Sequence, residues 1–318
     1  MSIARSFLLS SLSVVAIAAC DNTPEVPQTS QLEDPMAVPA PSEDMAAEDV
    51  DGSEPQVQSL EAQSLEDVIN HERRGDRAAR DAFRNPQATL EFFGLEPDMT
   101  VVEISPGGGW YTDILAPYIN GGGGTFYAAH FSPDASGYQA RLLTSFKEKY
   151  MADEVEYGPI NLTVFSPAAE GVAPDGVADM VLTFRNTHNW GDEFGAKAFS
   201  DFYDALKPGG VLGVVDHRMP EDRESNSESG YIKTSTVIAM AENAGFELVG
   251  QSELNANPKD TSDHPFGVWT LPPSSATQDD DGNTPEGFDE DKYLSIGESD
   301  RMTLKFQKPI TADGALLE

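Results

Sequence analysis

The sequence has one cysteine among 318 residues, and only 20 Lys and Arg against 54 Asp and Glu. A single cysteine excludes an intrachain disulfide, a CxxC redox pair and a multi-cysteine zinc site. The shortage of cations leaves a formal net charge of −34, which excludes a nucleic-acid binder, because neutralising phosphates needs a basic face. The one local cation cluster, Arg73, Arg74, Arg77, Arg80 and Arg84, is interleaved with Asp76 and Asp81. Its expected place is a solvated, salt-bridged helix face. Internal repeats are missing, as is any HExxH zinc motif. Hydrophobic residues make up 39%, enough for one sizeable core.

The lone cysteine explains itself by position. Arg5 supplies a positive start, Phe7 to Ala19 an apolar run, and the small residues Ala18 and Ala19 precede Cys20. This is a signal-peptide layout, and the run is shorter than the about 20 residues of a comfortable membrane span. Ile17-Ala18-Ala19-Cys20 resembles a bacterial lipoprotein lipobox. The resemblance implies cleavage before Cys20, a lipidated N-terminal cysteine and an envelope protein facing the periplasm, with Asp21 bearing on inner- against outer-membrane placement. From Asp21 to Gln63 there are eleven acidic residues and no Lys or Arg, so this segment cannot bury enough apolar surface to offset its ordering entropy. The expected organisation is a leader over 1–19, an acidic disordered tether over 20–63, a folded domain over 64–310 and a tail over 311–318. A second acidic, Pro-rich stretch, 272–292, reads as a loop inserted in that domain.

Within the domain, strand and helix signals alternate. Short apolar runs at Thr100–Ser105, Thr125–Phe131, Ile160–Phe165, Asp179–Phe184, Val211–Asp216, Phe246–Leu254 and Arg301–Gln307 read as strands. Between them, helical spacing marks 111–119, 142–150, 193–206 and 231–243. Repeated βα units of this kind predict an α/β fold: a doubly wound, mostly parallel seven-stranded sheet covered on both faces, with an N-terminal helical extension. Ligands of such sheets bind at the carboxyl ends of the strands, where the strand order reverses.

The strongest motif lies there. Glu103-Ile104-Ser105-Pro106-Gly107-Gly108-Gly109-Trp110-Tyr111 runs from strand through glycine turn to helix, so the backbone can approach a ligand and the helix start offers unpaired amides. A dinucleotide fingerprint would need a third glycine where Thr112 stands. The pattern resembles motif I of the class I S-adenosylmethionine-dependent methyltransferases, acid-x-Gly-x-Gly-x-Gly, with Glu103 as the acid, Ser105 in place of the first glycine, and Gly107 and Gly109 as the others. More narrowly it is similar to a bacterial group of predicted methyltransferases with an EIxPGxGWYT motif, an arginine-rich leading helix ending near Asp81–Pro86, and a VVDHR-type segment, here Val214–Arg218. The resemblance spans about residues 63 to 308 and implies a Rossmann-like fold and S-adenosyl-L-methionine as cofactor, held by Glu103, Ser105, Pro106, Gly107, Gly109, His130, Phe131 and Asn186. His130 stands where the family has a ribose-binding acid, and a neutral imidazole accepts one hydrogen bond at most. Ser105 is tolerable if its φ is negative. Gly109 reads as a helix start that would accept alanine.

Two polar clusters end the fourth and fifth strands on the same rim. In Arg185-Asn186-Thr187-His188-Asn189-Trp190, Arg185 could bind an anionic acceptor, His188 remove a proton, Asn186 or Asn189 orient the acceptor, and Trp190 cap the core. In Asp216-His217-Arg218, neighbouring side chains on a strand point to opposite faces, so His217 reaches His188 more easily than Asp216. His71 and His264 read as structural. Two histidines and an aspartate on one rim could also bind a metal, yet without an HExxH-like signature the expectation is none. The sequence therefore predicts methyl transfer to an unidentified small-molecule or envelope acceptor by a lipid-anchored protein that binds no nucleic acid, with His188, Asn189, Arg185 and His217 as candidate catalytic residues. The alternative is a non-catalytic methyltransferase-like binding module, since the cofactor is made in the cytosol and the leader sends the chain outside it. The oligomeric state is not legible.

Overall fold

A computed structural model of the chain describes residues 60–279 and 281–310. The leader, Cys20, the tether up to residue 59 and the tail 311–318 lie outside the described residues. Eight strands form one sheet: β1 (Thr100–Ile104), β2 (Thr125–His130), β3 (Ile160–Val164), β4 (Ala178–Phe184), β5 (Leu206–Met219), β6 (Ile232–Lys233), β7 (Glu247–Ser252) and β8 (Arg301–Gln307). The order is β3-β2-β1-β4-β5-β8-β7, with the two-residue β6 beside the end of β5. β1 to β5 pair in parallel, while β8 runs antiparallel between β5 and β7. The expected mostly parallel, doubly wound sheet is present, with β6 added. β5 also begins earlier than expected: it takes in Lys207-Pro208-Gly209-Gly210, because a register shift against β4 absorbs that turn.

Helices cover both faces. On one lie α1 (Leu65–Ile69), α2 (Asp81–Arg84), α3 (Pro86–Phe93), α4 (Thr112–Gly121), α5 (Gly137–Phe146) and α6 (Glu154–Tyr157); on the other, α7 (Gly191–Ala205) and α8 (Thr234–Asn243). A ninth, α9 (Glu290–Ile296), rises out of the acidic insertion. Two apolar cores result: Leu90, Phe93, Ile114 and Ile119 pack under α3 and α4, and Phe199, Phe202, Val237 and Phe306 under α7 and α8. The near-continuous burial of Val101–Ile104 follows from that double cover.

The N-terminal extension departs from expectation in two ways. It is not one helix: Gly75 (φ +46°) kinks the turn Glu72–Arg80, and Asn85 (φ +41°) separates α2 from α3, where Pro86 starts the next helix. Its arginines do not form a solvated face either. Arg74 and Arg84 are each 1% exposed, both beside the Trp110 ring at 5.1 and 4.4 Å, because the kinks turn that surface toward the sheet's carboxyl edge.

Candidate functional site

β1 and β4 are neighbours, and the chain departs from them in opposite directions, to β2 and β3 on one side and β5 on the other. That reversal opens a cleft beyond their carboxyl ends. One cavity of about 490 Å³ is bordered by the glycine turn, Arg77, Arg80, Arg185, His188 and His217. A second of about 610 Å³ is bordered by Phe131, Ser132, Asp134, Phe165 and Trp190, and it shares Ser105, Tyr138, Asn186 and Asn189 with the first.

The turn is built on unusual backbone. Ser105 (φ +47°), Gly107 (φ +59°) and Gly109 (φ +74°) all take left-handed conformations. Ser105 therefore holds a conformation suited to glycine, contrary to the negative φ that its identity suggests, and it is pinned there by its N–H donating to Ala129 O at 2.8 Å. Gly107 and Gly108 line the first cavity, and a Cβ on Gly108 would meet nothing within 4 Å.

Gly109 has a different reason to be glycine. A Cβ there would lie 2.3 Å from the Tyr150 ring, so the close approach is to the fold, and alanine is not acceptable at this position. Tyr150 Oη donates to Gly109 O at 2.7 Å, and Arg77 donates to Tyr150 Oη at 2.6 Å and to Asp113 Oδ2 at 2.8 Å. Asp113, wholly buried, also accepts from Lys149 Nζ at 2.7 Å. The underside of the turn is thus bolted to the N-terminal extension.

Glu103 and His130 lie beneath the turn and border neither cavity. Glu103 Oε2 is 2.6 Å from Thr112 Oγ1. Burial pushes its carboxyl up to about 8, the Thr112 bond opposing and Asp113 adding to the rise. His130 Nδ1 accepts from Phe131 N at 2.8 Å, which leaves Nε2–H to donate to Gly107 O at 3.1 Å. As placed, Nε2 staples the turn to β2 while Nδ1 is taken by the next residue, and neither is free for a ribose hydroxyl. Burial lowers its basicity further. Phe131 does border the second cavity, and Asp134, four residues past His130, brings an exposed carboxylate to the same wall. Asp134 is not legible in the sequence because it lies beyond the strand end at which the family resemblance puts the acid.

On the opposite wall, Arg185 (φ +62°) ends β4 in another left-handed turn, its N–H donating to Val215 O at 2.7 Å. Asn186 Nδ2 donates to Ile104 O at 3.1 Å, tying the two walls together. Trp190 packs among Phe165, Phe199 and Phe202, as the sequence suggests.

The pairing at the rim is between His188 and Asp216. His188 Nδ1 is 2.8 Å from Asp216 Oδ1, and the wholly buried Asp216 also accepts from Thr187 Oγ1, His188 N and His217 N. Burial would raise the Asp216 carboxyl, but His188, His217 and the hydroxyl of Thr187 outweigh it and hold the group well below the usual carboxylate range. An ionised Asp216 fixes the proton on His188 Nδ1 and leaves Nε2 as the acceptor, capped at 2.9 Å by the Asn189 amide. The expected approach of His217 to His188 is present as ring centroids 5.1 Å apart. His217 is instead bonded to Ser299 Oγ at 2.5 Å, and burial together with His188 keeps it neutral. His188, Asp216 and His217 offer ligand atoms within 4.8 Å of one another, but the four donors already on Asp216 suit an oriented base better than a metal ligand. His71 Nδ1 caps Arg73 N, and His264 bonds Asp260, both away from the cleft.

No protein-family model and no curated protein matches the sequence. Among solved structures the chain is similar to a SAM-dependent methyltransferase from Aquifex aeolicus, at 16% identity over 77% of this chain and 99% of that one, TM-score 0.46. It is also similar to a TehB-like SAM-dependent methyltransferase from Corynebacterium glutamicum, at 11% identity over 74% and 97%, TM-score 0.42. A third is the cyclase SpnF, at 15% identity over 72% and 81%, TM-score 0.47. No activity follows from likeness at this level; the residues of the cleft decide that question.

Proposed function

We propose that this protein transfers a methyl group from S-adenosyl-L-methionine to a small-molecule or envelope acceptor. The observation that carries the reading is that the open floor of Gly107–Gly108 and His188, held by the buried Asp216 behind it, border one cavity at the reversal of the strand order.

The residues present suit that cofactor. A floor without side chains lets a ligand lie against backbone, and the two adjoining cavities fall in the range of small-molecule sites. Ser132 and Asp134 offer a hydroxyl and a carboxylate at the second cavity, whereas His130 lies beneath the turn with no free nitrogen. Bound there, the cofactor would supply an electrophilic methyl group on a sulfonium. The chain's own part is to hold the acceptor in line and to take its proton on His188 Nε2, with Asp216 orienting the ring and stabilising the imidazolium. Asn189, which now caps Nε2, gives way to the acceptor's hydroxyl, thiol or amine.

Calorimetry of the full chain with S-adenosylmethionine and S-adenosylhomocysteine tests this, and micromolar binding of both is expected. Binding of neither would leave the second reading, a methyltransferase-like module that binds another ligand, which the engaged nitrogens of His130 favour. We also propose attachment to the membrane through a lipidated Cys20, with the domain facing the periplasm. The support is the Arg5, apolar run and Ile-Ala-Ala-Cys layout; among the described residues no helix is long and apolar enough to cross a membrane.

A further inference from the structure

In a chain with 54 acidic residues and 20 basic ones, one wall of the first cavity is cationic. Arg80, Arg84 and Arg301 converge on one buried carboxylate, Glu298, at 2.6, 3.2 and 3.1 Å. Among the described residues Glu298 is the one carboxylate within ion-pair distance of those three. Arg185 joins them without any side-chain hydrogen bond or ion pair among the described residues. Four guanidiniums therefore have one carboxylate among them, and it pairs with three.

The surplus is visible atom by atom. Nη2 of Arg80 and both Nη of Arg84 are buried with no hydrogen-bond partner, a costly state for a charged donor. Arg84 is partly compensated by Trp110, whose ring lies 4.4 Å from its guanidinium. Among the described residues Arg80 and Arg185 have no such ring, and both border the cavity beside Glu298, Ser299 and His188. The strain shows in protonation: burial and Arg185 push Arg84 down to about 8, and burial and Arg301 push Arg185 down to about 10.

The geometry points to an anion subsite formed by Arg80 and Arg185, into which the methyl acceptor places a carboxylate or phosphate while its reacting atom faces His188. This rests on the methyl-transfer reading and extends it to the acceptor's class. The cofactor brings a sulfonium and an ammonium with its one carboxylate, so as a net cation it does not offset the surplus. Arginine suits the task because its planar fork meets carboxylate or phosphate with two parallel bonds. The signal was half legible in sequence. Arg185 stands out at the end of a strand, whereas Arg80 reads as solvated until the kink at Gly75 turns its segment inward.

The test titrates the full chain by calorimetry with inorganic phosphate and, separately, acetate, against chloride at equal ionic strength, with S-adenosylhomocysteine in a parallel series. At least one oxyanion binds where chloride does not; phosphate binding alone assigns a phosphorylated acceptor and acetate alone a carboxylate. R80Q and R185Q each weaken that binding at least tenfold, and both bind S-adenosylhomocysteine within threefold of the parent. R185K, which keeps the charge, serves if R185Q fails to fold, and it retains binding to within tenfold. The subsite is overturned if neither oxyanion exceeds chloride, if both glutamine variants bind it like the parent, or if they lose S-adenosylhomocysteine in step, which would give the arginines to the cofactor's carboxylate. Cofactor binding without oxyanion binding leaves methyl transfer standing and removes the subsite. Oxyanion binding without cofactor binding supports the subsite and removes methyl transfer.

Discussion

His188 Nδ1 meets Asp216 Oδ1 at 2.8 Å across the gap between β4 and β5, although 28 residues separate them in sequence. Asp216 accepts two backbone N–H groups, a hydroxyl and the imidazole, so it is both a structural clasp and the group that orients the base. D216N replaces one acceptor oxygen with a donor facing those donors. Its expected cost is about 2–4 kcal/mol in chemical denaturation. H188Q, which leaves Asp216 its other three partners, costs about 1 kcal/mol. In proton spectra of the parent, a downfield imidazole Nδ1–H signal is expected that both variants lose. Its persistence in D216N would remove the pairing.

Gly108 and Gly109 separate ligand from fold within one turn. Alanine at Gly109 takes a left-handed backbone and drives Cβ into Tyr150, so G109A should lose about 2–4 kcal/mol of stability. At Gly108 nothing lies within 4 Å of the added carbon, so G108A should melt within a few degrees of the parent. It should nevertheless bind S-adenosylhomocysteine at least tenfold more weakly, roughly 1.4 kcal/mol. Parent-like binding by G108A would show that the turn is a connection only.

The sheet was legible because its strands are short β-branched runs punctuated by Gly and Pro, and a parallel sheet buried on both faces tolerates little else. The rim residues were legible for the same reason: Arg185–Asn189 and Asp216–His217 end strands whose carboxyl edge is the ligand edge. What sequence could not supply was pairing. The rule that adjacent strand residues point apart gave no Asp216–His217 side-chain pair, and His217 bonds Ser299 instead, yet the two side chains still converge to within 4.8 Å, and only the crossing of β4 over to β5 delivers Asp216 to His188. The family resemblance likewise put His130 at the ribose, whereas local hydrogen bonds consume both its nitrogens. The N-terminal arginines were misread because charge interleaving describes a straight helix, and this one is broken at Gly75 and Asn85.

Cys20 lies outside the described residues, and its role is open to direct test. C20S should leave the leader uncut, adding 19 residues to the mass of the product, and metabolic labelling with a fatty acid should fail. A variant still cleaved before residue 20 and still pelleting with membranes would end the lipoprotein reading. Truncation to residue 60 should cost little stability. Deeper truncation should cost more, because Glu61 O lies so close to α4 that a Cβ on Gly121 would come within 2.8 Å of it.

Glu103 makes stability depend on pH in a direction opposite to that of most carboxylates. Its folded-state value is about 8 against an ordinary 4.5, raised by burial, which the Thr112 bond only partly offsets. Below 4.5 the carboxyl is protonated whether the chain is folded or not, and it costs nothing. Between 4.5 and 8 the unfolded chain gives up this proton while the folded chain keeps it, so this group's contribution falls as pH rises and levels off above 8. E103Q holds a neutral group of the same shape throughout that window. The difference in unfolding free energy between variant and parent should therefore grow in the variant's favour from pH 5 to pH 8, by about 1–3 kcal/mol. Other groups that titrate there, His217 among them, cancel in the difference. A gap that stays constant across the window would mean that Glu103 is ionised in the folded chain and that Thr112 Oγ1 donates to a carboxylate. Glu103 would then be a buried charge beneath the glycine turn, able to draw the cofactor's ammonium toward Gly107, and E103Q should weaken S-adenosylhomocysteine binding. With Glu103 neutral, that binding should stay within threefold of the parent at pH 7.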